Sequence, residues 1–245
     1  MMRKKRDSSS SMIMRRIYAL CLAISVFALL IIASCGTKKA HINTAKGPSW
    51  NAERLLVASR DSARESMNET NRRKAKELAT QGVEYAERCL MLLPEEAGCY
   101  YWRAVNTGLY YRVHIIGYQR GVKNMIEDCH RVIDIDAGYD HAGAYRILGQ
   151  IYTQLPQTGG HADSITRDLP LAEHYLRKAL RLSPDYPENH LVLAETLLAQ
   201  GKIAEAIKAL TVAQELVPQW RNDSSYNEWK HNALTLEKEI ARASE

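Results

Sequence analysis

The sequence predicts an all-α fold of antiparallel helix hairpins stacked into a right-handed superhelix, and three observations lead there. Apolar residues recur at helical spacing from about residue 49 almost to the C-terminus. A phrase of small and apolar residues closed by Pro occurs twice, with Pro184 and Pro218 set 34 residues apart. Degraded copies of the same phrase stand upstream of both. A fixed period of this length marks a solenoid, in which each unit buries its apolar face only against its neighbours.

The phrase itself gives the packing reason. Ala172, Leu176 and Ala179 precede Pro184 at the offsets at which Ala206, Leu210 and Ala213 precede Pro218. This is the second-helix signature of a tetratricopeptide (TPR) repeat. Small residues let two helices approach closely, and the Pro ends the helix because it lacks an N–H and clashes with the preceding turn. The first-helix signature is Leu148-Gly149-Gln150-Ile151-Tyr152, with Tyr145 at the usual Trp position. Leu193-Ala194 with Leu197 follows Pro184 in register, and Ala97, Tyr100 and Ala104 follow Pro94 likewise. Gly82, Ala86, Cys89 and Leu90 precede Pro94 in second-helix register, and Ile135-Asp136-Ala137 ends another second helix. The expected helices are 49–66, 69–92, 96–117, 121–136, 140–155, 168–182, 186–199 and 203–216. An amphipathic helix at about 223–243 is expected to cap the open end.

The N-terminus reads differently. Basic residues from Arg3 to Arg16 precede the uncharged apolar run Ile17–Ala33, the plan of an export signal; a retained membrane span of minimal length is the competitor. The run ends Ile32-Ala33-Ser34-Cys35-Gly36, which resembles the lipobox of bacterial lipoproteins and makes Cys35 the expected lipidation site. The domain plan is therefore a signal at 1–34, a lipid-anchored tether at 35–48 and a TPR-like helical domain at 49–245. The signal carries six of the 33 basic residues and one of the 28 acidic ones. The remaining chain is formally neutral, which argues against nucleic acid as a partner.

Cys89, Cys99 and Cys129 remain beyond the anchor. They lack a CxxC spacing and read as small apolar residues on helices, with one disulfide as the alternative. Among catalytic signatures, HExxH and GxSxG are absent, so no enzyme activity, cofactor or metal is expected. The stretch Gly149–Ile165 contains Pro156, Gly159 and Gly160, but a P-loop would need Lys after the glycines and a preceding strand. His161 and Asp163 offer two ligands where zinc takes four. The stretch reads as an insertion between paired helices.

The lipobox, the aromatic phrase Tyr100-Tyr101-Trp102-Arg103-Ala104, and Leu148-Gly149 followed by Leu155-Pro156 with Gly159-Gly160 and the helix ending at Pro184 resemble the T-component lipoproteins of TRAP transporters, over roughly residues 50 to 220. That family has Asp directly after the two glycines, whereas here His161 and Ala162 intervene before Asp163. The resemblance implies a periplasmic lipoprotein that forms a homotrimer, binds the transporter's substrate-binding protein, and passes an organic-acid or hydrophobic ligand. Gly36, rather than Asp, after the lipid-bearing Cys suits the outer membrane of many Gram-negative bacteria. A generic TPR adaptor scaffolding an envelope assembly complex is the alternative function.

Register assigns the inner face of the stack to Tyr101, Val105 and Leu109, then Arg146, Gln150 and Thr153, then Leu191, Glu195 and Leu198. The mixture suits a partner with an apolar body and a polar end; packing of Tyr101 and Val105 against the next helix is the alternative. Pro156, Gly159, Gly160 and Asp163 are assigned to partner contact, since loops held by a rigid scaffold often carry binding residues.

Overall fold

A computed structural model describes residues 51–244. The expected signal (1–34), Cys35 and the tether (35–48) lie outside the described residues. Within them the chain is helical with no strand: α1 Ala52–Asn68, α2 Arg72–Leu92, α3 Ala97–Val113, α4 Tyr118–Asp136, α5 Tyr139–Gln154, α6 Leu169–Leu182, α7 Pro187–Ala199 and α8 Ile203–Leu216, then the 3₁₀ turn Val217–Trp220 and α9 Tyr226–Ala243. Side-chain caps set several starts. Asn51 accepts from the Arg54 N–H at 2.9 Å, Asn71 from Arg73 at 3.0 Å and Asp168 from Leu171 at 2.9 Å. Proline stands in the first turn of α6 and of α7, where its missing N–H is harmless.

Sequential helices pack as hairpins, α1 with α2, α3 with α4, α5 with α6 and α7 with α8. The odd-numbered helices also touch one another in succession, α1 to α3 to α5 to α7 to α9, and so form one continuous face. What permits the close hairpin packing is the run of fully buried small residues, among them Ala63, Ala79, Ala86, Ala104, Ala172, Ala179, Ala194, Ala206 and Ala213. Gly149 shows the reason at atomic scale: a Cβ there would lie 2.5 Å from Leu176 Cγ. The Leu-Gly of the first helix is thus the socket for the central Leu of the second.

Three features depart from the expectation. The third helix ends at Val113 rather than 117, because Gly117 takes a left-handed turn (φ 75°) and α4 begins at once after it. The fifth helix opens with Asp140, His141 and Ala142 all left-handed, at φ 49°, 57° and 61°. Cys89 and Cys99 are not independent core residues: they form a disulfide across the turn between α2 and α3, with Cα atoms 6.0 Å apart. Cys129 stays buried and unpaired, and burial pushes its thiol well above the usual range.

Lys178 is half-buried with its ammonium 5.6 Å from the Tyr145 ring centre, whereas Lys208 is exposed. Overpacking a fully buried Ala forces neighbours off their rotamers at about 1–3 kcal/mol. Ala179→Leu and Ala213→Leu are each expected to lower the melting temperature by roughly 2–10 °C, and Lys208→Leu to leave it within about a degree. Equal shifts at all three positions would contradict this packing.

Candidate functional site

The face built by the odd-numbered helices is tied together by polar contacts between residues more than forty positions apart or nearly so. Asn106 Nδ2 on α3 donates to the Ser59 carbonyl on α1 at 3.0 Å. Thr153 on α5 and Thr196 on α7 share a hydrogen bond of 2.8 Å. Gln154 on α5 donates to Glu195 on α7 at 3.4 Å. Of the nine residues that register assigns to this face, Tyr101, Leu109, Arg146, Thr153 and Leu191 are buried between helices. Val105, Gln150, Glu195 and Leu198 keep part of their surface open. The buried group therefore joins helices, and the half-open group is what a partner could touch.

Arg146 is the centre of the buried group, with 4% of its surface exposed. Its guanidinium makes ion pairs with Asp140 Oδ2 at 3.1 Å and Glu188 Oε2 at 3.3 Å. It donates to Asn189 Oδ1 at 3.1 Å and to the Tyr101 hydroxyl at 3.3 Å, and lies 4.8 Å from the Tyr186 ring centre. Tyr101 in turn donates to Asp140. Burial opposes the Arg146 charge, but the carboxylates of Glu188 and Asp140 overcome it and hold the group charged. Burial raises the Tyr101 phenol, and the Asp140 charge adds to it, so the hydroxyl stays protonated. Removing one member of such a buried set costs about 3–5 kcal/mol, because the rest is left unpaired in a dry place.

The same set holds the left-handed turn. Each left-handed non-glycine residue costs about 1–2 kcal/mol, and three occur in a row. The His141 carbonyl accepts from Arg146 at 3.4 Å and from Asn189 at 3.1 Å. The His141 ring stacks on Tyr186 with centres 4.3 Å apart and meets Trp220 edge-on at 5.0 Å. Helices α3, α5 and α7 therefore converge on one strained turn, the kind of place where binding sites store conformational energy. Register reaches Arg146 and Tyr101; it does not reach Asp140, Tyr186, Glu188 or Asn189, which no short-range pattern marks.

The insertion is fastened at its base. Gln119 on α4 donates to the Ile165 carbonyl at 3.0 Å and accepts from the Ile165 N–H at 2.9 Å. The Arg167 N–H donates to the Pro156 carbonyl at 2.9 Å. Pro156 at the clamp, and Gly160 and Asp163 beyond it, are exposed, and Gly159 is packed so closely that a Cβ would lie 2.1 Å from Ser164 Cβ. Among the described residues, no group of three His, Cys, Asp or Glu is placed to hold a metal ion.

Glu195 supplies the test of the half-open surface. Burial raises its carboxyl above the usual range, offset in part by the Gln154 hydrogen bond. For an acid raised in the folded state, stability is fullest when it is protonated and falls as pH rises from the ordinary Glu range through the raised value. Glu195→Gln is therefore expected to raise the melting temperature at pH 7 and to lose that advantage near pH 4. A variant no more stable than the parent at pH 7 would show that the carboxylate is well solvated.

A family profile and one solved structure agree with this architecture. Residues 167–225 match the sequence profile of a family described as "Tetratricopeptide repeat". No curated protein sequence matches the chain significantly. The crystal structure of a thermophilic TPR protein from Thermus thermophilus superposes with a TM-score of 0.55 at 19% identity, covering 81% of this chain and 83% of that one. A MamA structure from Desulfovibrio magneticus (residue 41 to the end) gives 0.41 at 12% identity, covering 78% of this chain and 93% of that one. Residues 51–244 thus have the all-α fold of a tetratricopeptide-repeat array, with a repeat matched in sequence over 167–225.

Proposed function

We propose that this chain is a lipid-anchored accessory protein facing the bacterial periplasm, and that its helical stack holds the substrate-binding protein of a TRAP-type transporter. The observation that carries the binding role is the half-open inner surface. Val105, Gln150, Glu195 and Leu198 alternate apolar and polar chemistry there, beside a turn that three helices hold rigid. Rigid presentation lowers the ordering cost of binding a protein surface. The clamped insertion adds a second contact surface through Pro156, Gly159, Gly160 and Asp163. A disulfide between Cys89 and Cys99 suits an oxidising compartment, which supports export through the segment 1–34.

The geometry favours a protein partner over an organic acid at this face. Arg146 is already shared by Asp140 and Glu188, so the clasp presents no spare cation to a carboxylate ligand. An apolar ligand or segment fits Val105 and Leu198 better. The homotrimer and the TRAP assignment rest on the sequence resemblance, and a generic envelope adaptor would use the same surface.

Two measurements test the proposal. Two acyl chains give stable membrane attachment, at about 0.8 kcal/mol for each buried CH₂. Cys35→Ala is therefore expected to leave the chain unprocessed or to release it from membranes on washing; parental behaviour in both respects refutes lipidation. Ile165 and Arg167 belong to the clamp, so the loop is tested by replacing only 157–163 with a short Gly-Ser turn. Helicity and melting temperature are expected to hold, while oligomer mass by light scattering or capture of the TRAP substrate-binding protein changes. Unchanged mass with unchanged capture would make the loop a spacer, and capture of assembly factors in place of the binding protein would establish the adaptor reading.

A further inference from the structure

We infer that the turn joining α2 to α3 is a membrane-docking edge, through which the helical stack rests on the lipid surface that anchors the chain. Met91, Leu92 and Leu93 are consecutive and exposed to 74%, 54% and 45%. Three large apolar side chains in a row where α2 passes into the turn are an exception to the ordinary scatter of surface hydrophobes. The turn that carries them is rigid: the Cys89–Cys99 bond crosses it, the Leu93 N–H donates to the Cys89 carbonyl at 2.8 Å, and Glu96 caps α3 through the Gly98 N–H at 3.2 Å.

The occupant follows from where the chain leaves the helical domain. Helices alternate in direction, so the start of α1 and the end of α2 lie at one edge of the stack. The contact is direct: Cys89 Sγ lies 3.4 Å from the Ala52 carbonyl oxygen. The start of α1, from which the sequence runs back to Cys35, therefore lies beside the apolar triad. Asn51 lies 16 residues beyond Cys35, so covalent geometry alone keeps the two within about 58 Å. An anchor so short holds this edge at a high effective concentration near the bilayer, and a patch too weak to bind lipid alone then suffices.

The surroundings fit a lipid interface. Tyr100 stands immediately behind the triad, its hydroxyl donating to the Pro94 carbonyl at 3.0 Å, with the guanidinium groups of Arg103 and Arg131 each 5.5 Å from its ring centre. Aromatic rings and long cationic side chains favour the headgroup level, with apolar tips below them. Of the neighbouring carboxylates, Glu95 is paired with Arg131 at 3.1 Å, while Glu96 caps α3 and keeps its charge at the rim of the patch. The opposite edge carries another exposed apolar pair, Ile115 and Ile116, at 75% and 77%, but neither terminus of the helical domain's first hairpin leaves there. Docking at 91–93 leaves that edge, and the clamped insertion beyond Gln119, directed away from the membrane.

This inference rests on the reading that the chain is anchored through its N-terminal segment. The test uses the full chain in bacterial membranes, with photoreactive benzoylphenylalanine replacing either Leu92 or Ile116, both exposed sites. After irradiation, lipid adducts are read by mass, and the N-terminal peptide of the same sample is read for acyl modification of Cys35. The expected result is at least tenfold more lipid adduct at 92 than at 116. Acylated Cys35 with equal or absent adducts at 92 overturns the docking edge and leaves the anchor standing. Unmodified Cys35 with the same tenfold excess of adducts at 92 keeps the docking edge and replaces the lipid anchor by the apolar segment. Absence of both acylation and adducts overturns both.

Discussion

Close approach of paired helices is the constraint on which everything else in this protein depends. Ala at the crossing points and Gly149 beneath Leu176 let neighbouring backbones come within the distance at which hairpins interlock. Once hairpins are packed that tightly, the odd-numbered helices have no freedom to separate, and their side chains must meet. Polar contacts such as Thr153 with Thr196 and Asn106 with Ser59 then satisfy groups that close packing has removed from water. The small residues thus determine the stack, and the stack determines the inner face.

The Arg146 clasp shows how a charged group belongs in such an interior. A lone guanidinium at this depth would be strongly disfavoured, yet here two carboxylates, an amide, a phenol and a backbone carbonyl surround it. The clasp gathers residues from α3, α5 and the start of α7. It also stabilises a turn that the backbone alone would avoid. Joining three hairpins through one buried set couples them mechanically, so the inner face is presented as a unit and not as separate repeats.

The proposed contacts divide between the two edges and the face between them. One edge carries the disulfide-bridged apolar turn next to the start of α1. The other carries the insertion clamped by Gln119. Under the proposed anchoring, such a stack would hold a partner bound on the inner face or far edge at a set distance from the membrane. That arrangement uses the solenoid as a spacer and as a platform at once.

The hairpin pairing was determined by the sequence itself. The Ala-Leu-Ala-Pro phrase and the Leu-Gly pair are local patterns, because a helix of 3.6 residues per turn converts residue spacing directly into a face. The insertion was legible for the same reason, as Pro156 and Gly159-Gly160 break that spacing. Other features arise only from contacts between distant positions. Cys89 and Cys99 pair because a turn folds α3 back onto α2, and neither residue type nor spacing announces it. Asp140, His141 and Ala142 take left-handed angles against their own preference, because Arg146, Asn189 and Tyr186 hold the turn from elsewhere in the chain. Local periodicity decides which residues face inward; only the tertiary structure decides which of them meet, since a partner some forty residues away leaves no trace in a residue's own neighbourhood.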